Sequence, residues 1–397
     1  MKLSRLAQKL KPSATLAITA KAKALKAQGI DVIGFGAGEP DFDTPQNIKN
    51  SAVDAITKGY TKYTAVGGID QIKDAINYRM NADYGLQYDK SEIMVSCGAK
   101  HTLYNISQVL IDPGDEVIIP APFWVTYPEQ VTIAGGTPVI IDTDESTGFK
   151  LTPDMLKDNI TNRTRILILN YPSNPTGATY TKNDLVDIAD LCLRNNITII
   201  TDEIYDKILY GSLSHTSLPS ISDDVKKNSI LVNGVSKSYS MTGWRIGFAA
   251  GDREVIKAMS NLQGQCTSNP VTISQYAAIE ALKGDQSEVE KMRQQFELRK
   301  DYIVKKLNSI EGISCFEPQG AFYVFPNVTS FYGKNYKGKK ITGSVDFTEF
   351  LLEEAKVAVV PGVEFGADNY IRISYAVSMD EIKDGLYRIE NSLAILS

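Results

Sequence analysis

Apolar residues recur along this chain in two alternating rhythms. Consecutive aliphatic runs occur at Ile93-Met94-Val95, Val117-Ile118-Ile119, Val139-Ile140-Ile141, Ile166-Leu167-Ile168-Leu169, Ile197-Thr198-Ile199-Ile200 and Ile230-Leu231-Val232. Between them lie longer stretches with apolar positions three or four apart. The first rhythm predicts strands buried on both faces, and the second predicts the helices that cover them. Helices are expected over 13–28, with Ser13 as cap and Gly29 as stop, and over 45–58, 71–83 and 99–110. Thr181 and Asp184 form a capping-box pattern ahead of Leu185, Ile188, Ala189 and Cys192. Strands alternating with helices from about 50 to 280 imply an α/β fold with a mainly parallel sheet.

The rhythm then changes. Residues 285–308 read as one long helix with Val289, Met292, Phe296, Ile303 and Leu307 as its stripe. Short strands are expected at 322–325, 357–360 and 370–374, and Ser378 with Glu381 caps a closing helix. This predicts a smaller α+β domain. Two glycine-rich stretches imitate nucleotide motifs. Gly34 to Gly38 fails as a dinucleotide fingerprint because Glu39 and Pro40 follow, and Gly333 to Lys340 lacks the Ser or Thr of a P-loop. The first reads as a strand ending in a tight turn, the second as a solvated loop.

The 397 residues are long enough for two or three domains, with 43% hydrophobic and 22% charged residues. A net charge of −5 argues against nucleic acid as the main partner. Four scattered cysteines suggest no disulfide framework, and neither they nor the two histidines suggest a metal site. The N-terminus has no signal-type apolar stretch, and no run approaches about 18 apolar residues. A soluble, cytoplasmic protein is expected.

Candidate chemistry gathers at strand ends. Ser236-Lys237-Ser238-Tyr239-Ser240-Met241-Thr242-Gly243-Trp244-Arg245 lies between two apolar runs and offers one amine, hydroxyls and a guanidinium. An amine in a semi-buried loop loses hydration, which favours its neutral, nucleophilic form. A hydroxyl and an arginine suit a phosphate. Gly98-Ala99-Lys100 places a helix N-terminus after a strand, an anion-binding arrangement. Asp202 ends a core strand, where open α/β sheets bind ligands. Arg372 alternates with Ile371 and Ile373, so it is either an edge-strand surface residue or a buried carboxylate clamp.

From about residue 11 to the C-terminus, these pieces resemble the class I aminotransferases, the aspartate aminotransferase family of pyridoxal-phosphate (PLP) enzymes. The resemblance is carried by Gly38-Glu39-Pro40-Asp41-Phe42, Lys62-Tyr63-Thr64, Gly98-Ala99-Lys100, Asn170 to Gly177, Asp202-Glu203-Ile204-Tyr205, Ser236 to Gly247 and Arg372-Ile373-Ser374-Tyr375. It implies PLP fold type I, with a mainly parallel seven-stranded sheet in a large domain at 45–290. The small domain would combine 1–44 with 291–397. It also implies that Lys237 bonds the cofactor and moves the substrate Cα proton, and that Asp202 pairs with the ring nitrogen. Asn174 and Tyr205 would donate to the ring oxygen, and Trp124 would stack on the ring. Gly98, Ala99, Lys100, Ser236 and Arg245 would hold the phosphate, joined by Tyr63 from a second subunit of a homodimer with shared active sites. Arg372 would clamp the substrate carboxylate, helped by Gly38 and Asn174.

The sequence is more similar to a bacterial branch, which includes aspartate and prephenate aminotransferases, than to the familiar animal and enteric enzymes. In that branch Lys100, Ser13 and Thr15 would meet the distal carboxylate of a dicarboxylic substrate. The resemblance also covers aromatic or broad-specificity aminotransferases and β-lyases of the same fold. A PLP-sensing regulator would need a DNA-binding domain, for which the sequence before residue 11 leaves no room.

Overall fold

The structure, a computed structural model, describes residues 2–9 and 14–397. The expected core strands assemble into one sheet. In chain order they are β1 (Ile93–Ser96), β2 (Glu116–Ala121), β3 (Thr137–Asp142), β4 (Thr164–Asn170), β5 (Thr198–Asp202), β6 (Ser229–Gly234) and β7 (Gly247–Ala250). Their spatial order is β1-β7-β6-β5-β4-β2-β3. Neighbours among β3, β2, β4, β5 and β6 run parallel, while β7 runs antiparallel to both β6 and β1. The carboxyl ends of the parallel strands therefore share one edge with the start of β7.

Side-chain alternation feeds two cores. Val117, Ile119, Ile166 and Ile168 pack on one face of the sheet. Ile118, Leu167, Leu169 and Ile199 pack on the other, against Leu185, Ile188, Ala189 and Cys192 of the helix Lys182–Arg194. Each such buried aliphatic side chain contributes about 1.5–3 kcal/mol relative to exposure. The capping box at Thr181 and Asp184 forms as expected, and so does the one at Ser378 and Glu381.

The long helix runs Ser287–Leu307 and leads into a second, three-stranded sheet. Its strands are β8 (Tyr323–Val324), β9 (Val360–Pro361) and β10 (Ile371–Ser374), with β10 in the centre. The expected strand at 357–360 divides in two. Val357–Ala358 pairs with Ile33–Gly34, and only Val360–Pro361 joins β10. The N-terminal segment is tied to the long helix by a two-pronged ion pair, Arg299 Nη1 and Nη2 to the Asp41 oxygens at 2.6 and 2.9 Å. The stretch Gly333 to Lys340 is not a plain loop. It folds into a small antiparallel hairpin, Asn335–Tyr336 with Lys339–Lys340, because the Tyr336 side chain buries while both lysines stay in solvent. Among the described residues, no helix is long and apolar enough to cross a membrane.

Candidate active site

The shared sheet edge opens into a cavity of about 370 Å³, within the range of small-molecule sites. Three strand ends supply its floor. The strand β5 delivers Asp202, β4 delivers Asn170, and β6 runs into the loop bearing Ser236 and Lys237. Because β7 returns antiparallel, Arg245 re-enters at the same edge as Lys237 leaves.

The Lys237 amine donates to the Gly38 carbonyl at 2.5 Å. Burial lowers its pKa to about 8, with Arg372 and Arg245 acting in the same direction and Glu39 and Asp202 opposing. An amine whose pKa is lowered toward the neutral range keeps more of its free-base form, which can attack an aldehyde and move protons.

Asp202 is buried and accepts from Tyr127 Oη at 2.7 Å and from the Ile204 amide at 3.2 Å. Burial pushes its carboxyl up to about 6 against those two donors. The Asn170 side chain donates to the Asp202 carbonyl at 2.9 Å and accepts from the Asn174 amide at 3.0 Å. This fixes the turn after β4 to the end of β5.

An anion cradle lies at one side. The helix Ala99–Leu110 opens on Gly98, at φ 89°, without a side-chain cap, so its Ala99 and Lys100 amides remain available. Close approach requires Gly247, because a Cβ there would stand 2.1 Å from the Ala99 nitrogen. Arg245 closes the cradle, donating to the Thr242 and Cys97 carbonyls at 2.9 and 3.4 Å. Its guanidinium packs over Gly98, where a Cβ would meet Nη2 at 2.4 Å.

Arg372 is buried on the central strand β10, so it is not an edge-strand surface residue. Nη1 donates to Asn174 Oδ1 at 2.9 Å and Nη2 to the Gly36 carbonyl at 2.7 Å. The guanidinium lies 4.6 Å from the Tyr323 ring centre and 5.0 Å from that of Phe365. Nε is buried without a hydrogen-bond partner. Among the described residues no carboxylate pairs with this cation, which is a costly arrangement unless a ligand supplies one.

Lys100 is exposed overall, yet its amine rests 4.8 Å from the Trp124 ring centre at the cavity wall. Loss of hydration there lowers its pKa, and the Arg245 charge adds to the effect. Tyr205 lines the floor and shares a 2.9 Å hydrogen bond with Tyr323.

Gly38, Ala99, Lys100, Trp124, Asn174, Asp202, Tyr205, Ser236, Lys237, Arg245 and Arg372 thus converge on one cavity. Gly98 stands immediately behind its wall. Tyr63 does not join them: its side chain is 90% exposed, away from the cavity of its own chain. Ser13 and the side chain of Thr15 lie outside the described residues. Sequence reading missed Tyr127, Asn170 as a brace, and Tyr323. It also missed the buried pair of Glu203 and His215, at 2.8 Å, directly after Asp202. Nothing in local spacing marks these residues, since Tyr127 and Asp202 are 75 positions apart.

Comparison with known proteins gives the same picture. The family model described as aminotransferase class I and II matches residues 30–389. The chain is 53% identical to an aspartate aminotransferase of Bacillus sp. (strain YM-2), over 96% of each chain. It is 46% identical to a probable aspartate/prephenate aminotransferase of Aquifex aeolicus (strain VF5), over 97% of this chain and 96% of the relative. The crystal structure of the aspartate aminotransferase from Rhizobium meliloti superposes with a TM-score of 0.96 at 44% identity, covering all of both chains. With the fold, the cavity and these relatives in agreement, the chain belongs to the class I and II aminotransferases.

Proposed function

We propose that this protein is a pyridoxal-phosphate-dependent aspartate aminotransferase, moving an amino group between aspartate or glutamate and a 2-oxo acid. The observation that carries the substrate reading is Arg372, a buried guanidinium in the same cavity as Lys237, with no carboxylate partner among the described residues and one unpartnered nitrogen. It fits the α-carboxylate of an amino acid through a forked contact. Lys100, opposite on Trp124, is the second cation that a dicarboxylate needs. The aspartate/prephenate relatives make prephenate a further acceptor to test.

The cavity residues suit the cofactor. The Lys237 amine would bond its aldehyde, and the helix N-terminus at Ala99 and Lys100, with Ser236 and Arg245, would hold its phosphate. Asp202 would keep a proton on the ring nitrogen, and Tyr205 and Asn174 would donate to the ring oxygen. Trp124 would cover the ring. When bound, the cofactor supplies an electron sink for the pair left by the breaking Cα–H bond. Arg372 and Lys100 would hold the substrate so that this bond faces Lys237 Nζ, which, once the incoming substrate amine has released it, would take the proton and return it to the carbon on the far side of that amine nitrogen.

We also retain a homodimer in which the exposed Tyr63 serves the partner's phosphate site. The division into a 45–290 domain and a domain of 1–44 with 291–397 belongs to the same reading. It is supported by a core that joins Ile33 and Phe35 to Phe347, Ile373 and Leu386 and meets the large domain at Ile204, Tyr205, Ile208 and Tyr210. A cytoplasmic location fits four free cysteines.

The test is the visible spectrum of purified protein during separate additions of aspartate, glutamate, tyrosine and alanine without a keto acid. Conversion by aspartate and glutamate well ahead of the others is expected. Better conversion by tyrosine or alanine overturns the dicarboxylate assignment, and a colourless protein overturns the cofactor assignment.

A further inference from the structure

Tyr205 and Tyr323 meet hydroxyl to hydroxyl at 2.9 Å, both buried and both on the cavity wall. Two phenols in one contact share a single hydrogen, so the accepting phenol keeps a free proton to direct elsewhere. Which one accepts decides what the cavity receives.

Two features of the surroundings set the direction. The Arg372 guanidinium lies on the face of the Tyr323 ring, 4.6 Å from its centre, and a cation there makes this phenol the better donor. Gly38 packs so tightly against the same hydroxyl that a Cβ would stand 2.9 Å from it, so no side chain at that position competes with Tyr205. Burial raises both phenols above their ordinary range, Tyr205 the further of the two, while the Arg372 charge pulls each back.

We propose that Tyr323 is a positioning residue for Tyr205: its hydroxyl donates to Tyr205 Oη and leaves the Tyr205 proton as the one directed into the cavity. The strand β8 carries Tyr323 and pairs it across to Ser374 of β10, two residues from Arg372. The carboxylate clamp and the Tyr205 donor are therefore joined through one ring. The hydroxyl of Tyr323 tunes Tyr205, while its face supports Arg372. Chained donors reinforce each other, so Tyr205 is a stronger donor with Tyr323 behind it than alone.

The inference rests on the cofactor reading given above, and the experiment separates the two. In the loaded protein, the pH midpoint of the visible band reports how tightly a proton is held between the Lys237 nitrogen and the ring oxygen. A strong Tyr205 donor favours loss of that proton. Tyr323→Phe keeps the ring on Arg372 and removes only the hydroxyl. It is expected to raise the midpoint by about half to one pH unit, the scale of one neutral hydrogen bond. The KM for aspartate should change less than about twofold, because ring support of Arg372 persists. Tyr323→Leu, which also removes the ring, should raise both the midpoint and the KM. Adding Tyr323→Phe to Tyr205→Phe should leave the midpoint where Tyr205→Phe alone puts it. An unchanged midpoint in Tyr323→Phe, or an equal shift in the Tyr205→Phe background, overturns the inference. A wild-type protein with no visible band, or a band whose pH titration survives Lys237→Ala, overturns the cofactor reading and the inference with it.

Discussion

Arg372 Nη1 donates to Asn174 Oδ1 at 2.9 Å across 198 positions of sequence. The contact joins the three-stranded sheet to the turn that follows β4. Asn174 is in turn held by Asn170, whose side chain braces the Asp202 carbonyl. A carboxylate arriving at Arg372 therefore meets a group already oriented by the elements that position Asp202.

Arg372→Lys keeps a positive charge but loses the planar fork. The expected loss is about 10²- to 10³-fold in kcat/KM for aspartate, from the loss of one or two charge-assisted hydrogen bonds. Steady-state kinetics with aspartate and 2-oxoglutarate measure it.

Lys100→Met should separate dicarboxylic from neutral substrates. The Lys100 amine stands on the Trp124 ring as a second cation in the cavity, so its removal should lower kcat/KM for aspartate about 10- to 100-fold. Alanine turnover should change little. An equal loss for both substrates would place Lys100 with the phosphate alone.

Lys237 carries a pH signature in the cofactor-free protein. Its pKa falls from 10.5 in the unfolded chain to about 8 in the fold. Between those values the unfolded chain binds more protons, so stability rises with pH through this window and the full cost is present below about 8. Lys237→Met should therefore stabilise the cofactor-free protein at pH 7 by on the order of 3 kcal/mol, fading as pH approaches 10.5. Urea unfolding of wild type and variant at several pH values gives the difference directly.

Tyr127→Phe removes the 2.7 Å donor from Asp202. In the cofactor-free protein the Asp202 carboxyl should then titrate above its present value of about 6, readable by infrared difference spectroscopy. In the loaded enzyme kcat should fall about 10- to 100-fold, the scale of one hydrogen bond to a buried charge.

Much of the fold was legible because its signals are local. Consecutive aliphatic runs marked the sheet strands, and the Thr181 and Ser378 capping boxes stand where the side-chain pattern put them. The glycine at 98 and the strand-end position of Asp202 were legible for backbone reasons, and the structure brings both to the helix start and cavity at one sheet edge. The choice for Arg372 stayed open because strand alternation does not say which strand is central. Tyr127, Tyr323 and the Glu203–His215 pair were invisible because each acts through a contact made only by tertiary packing. The hairpin at 335–340 was missed because one buried tyrosine, Tyr336, outweighs a polar, lysine-rich composition.

The reversed strand β7 has a consequence for how the site assembles. A parallel β7 would require a crossover spanning the sheet, and Lys237 and Arg245 would be separated by a helix. Because β7 runs the other way, the chain turns back within a dozen residues, as Gly234 pairs with Gly247. Closure of so short a loop is fast compared with the long-range pairing of β1 to β7. The amine and the guanidinium can thus come together in one local folding event, before the distant helix at Ala99 docks against Gly247 to complete the cradle.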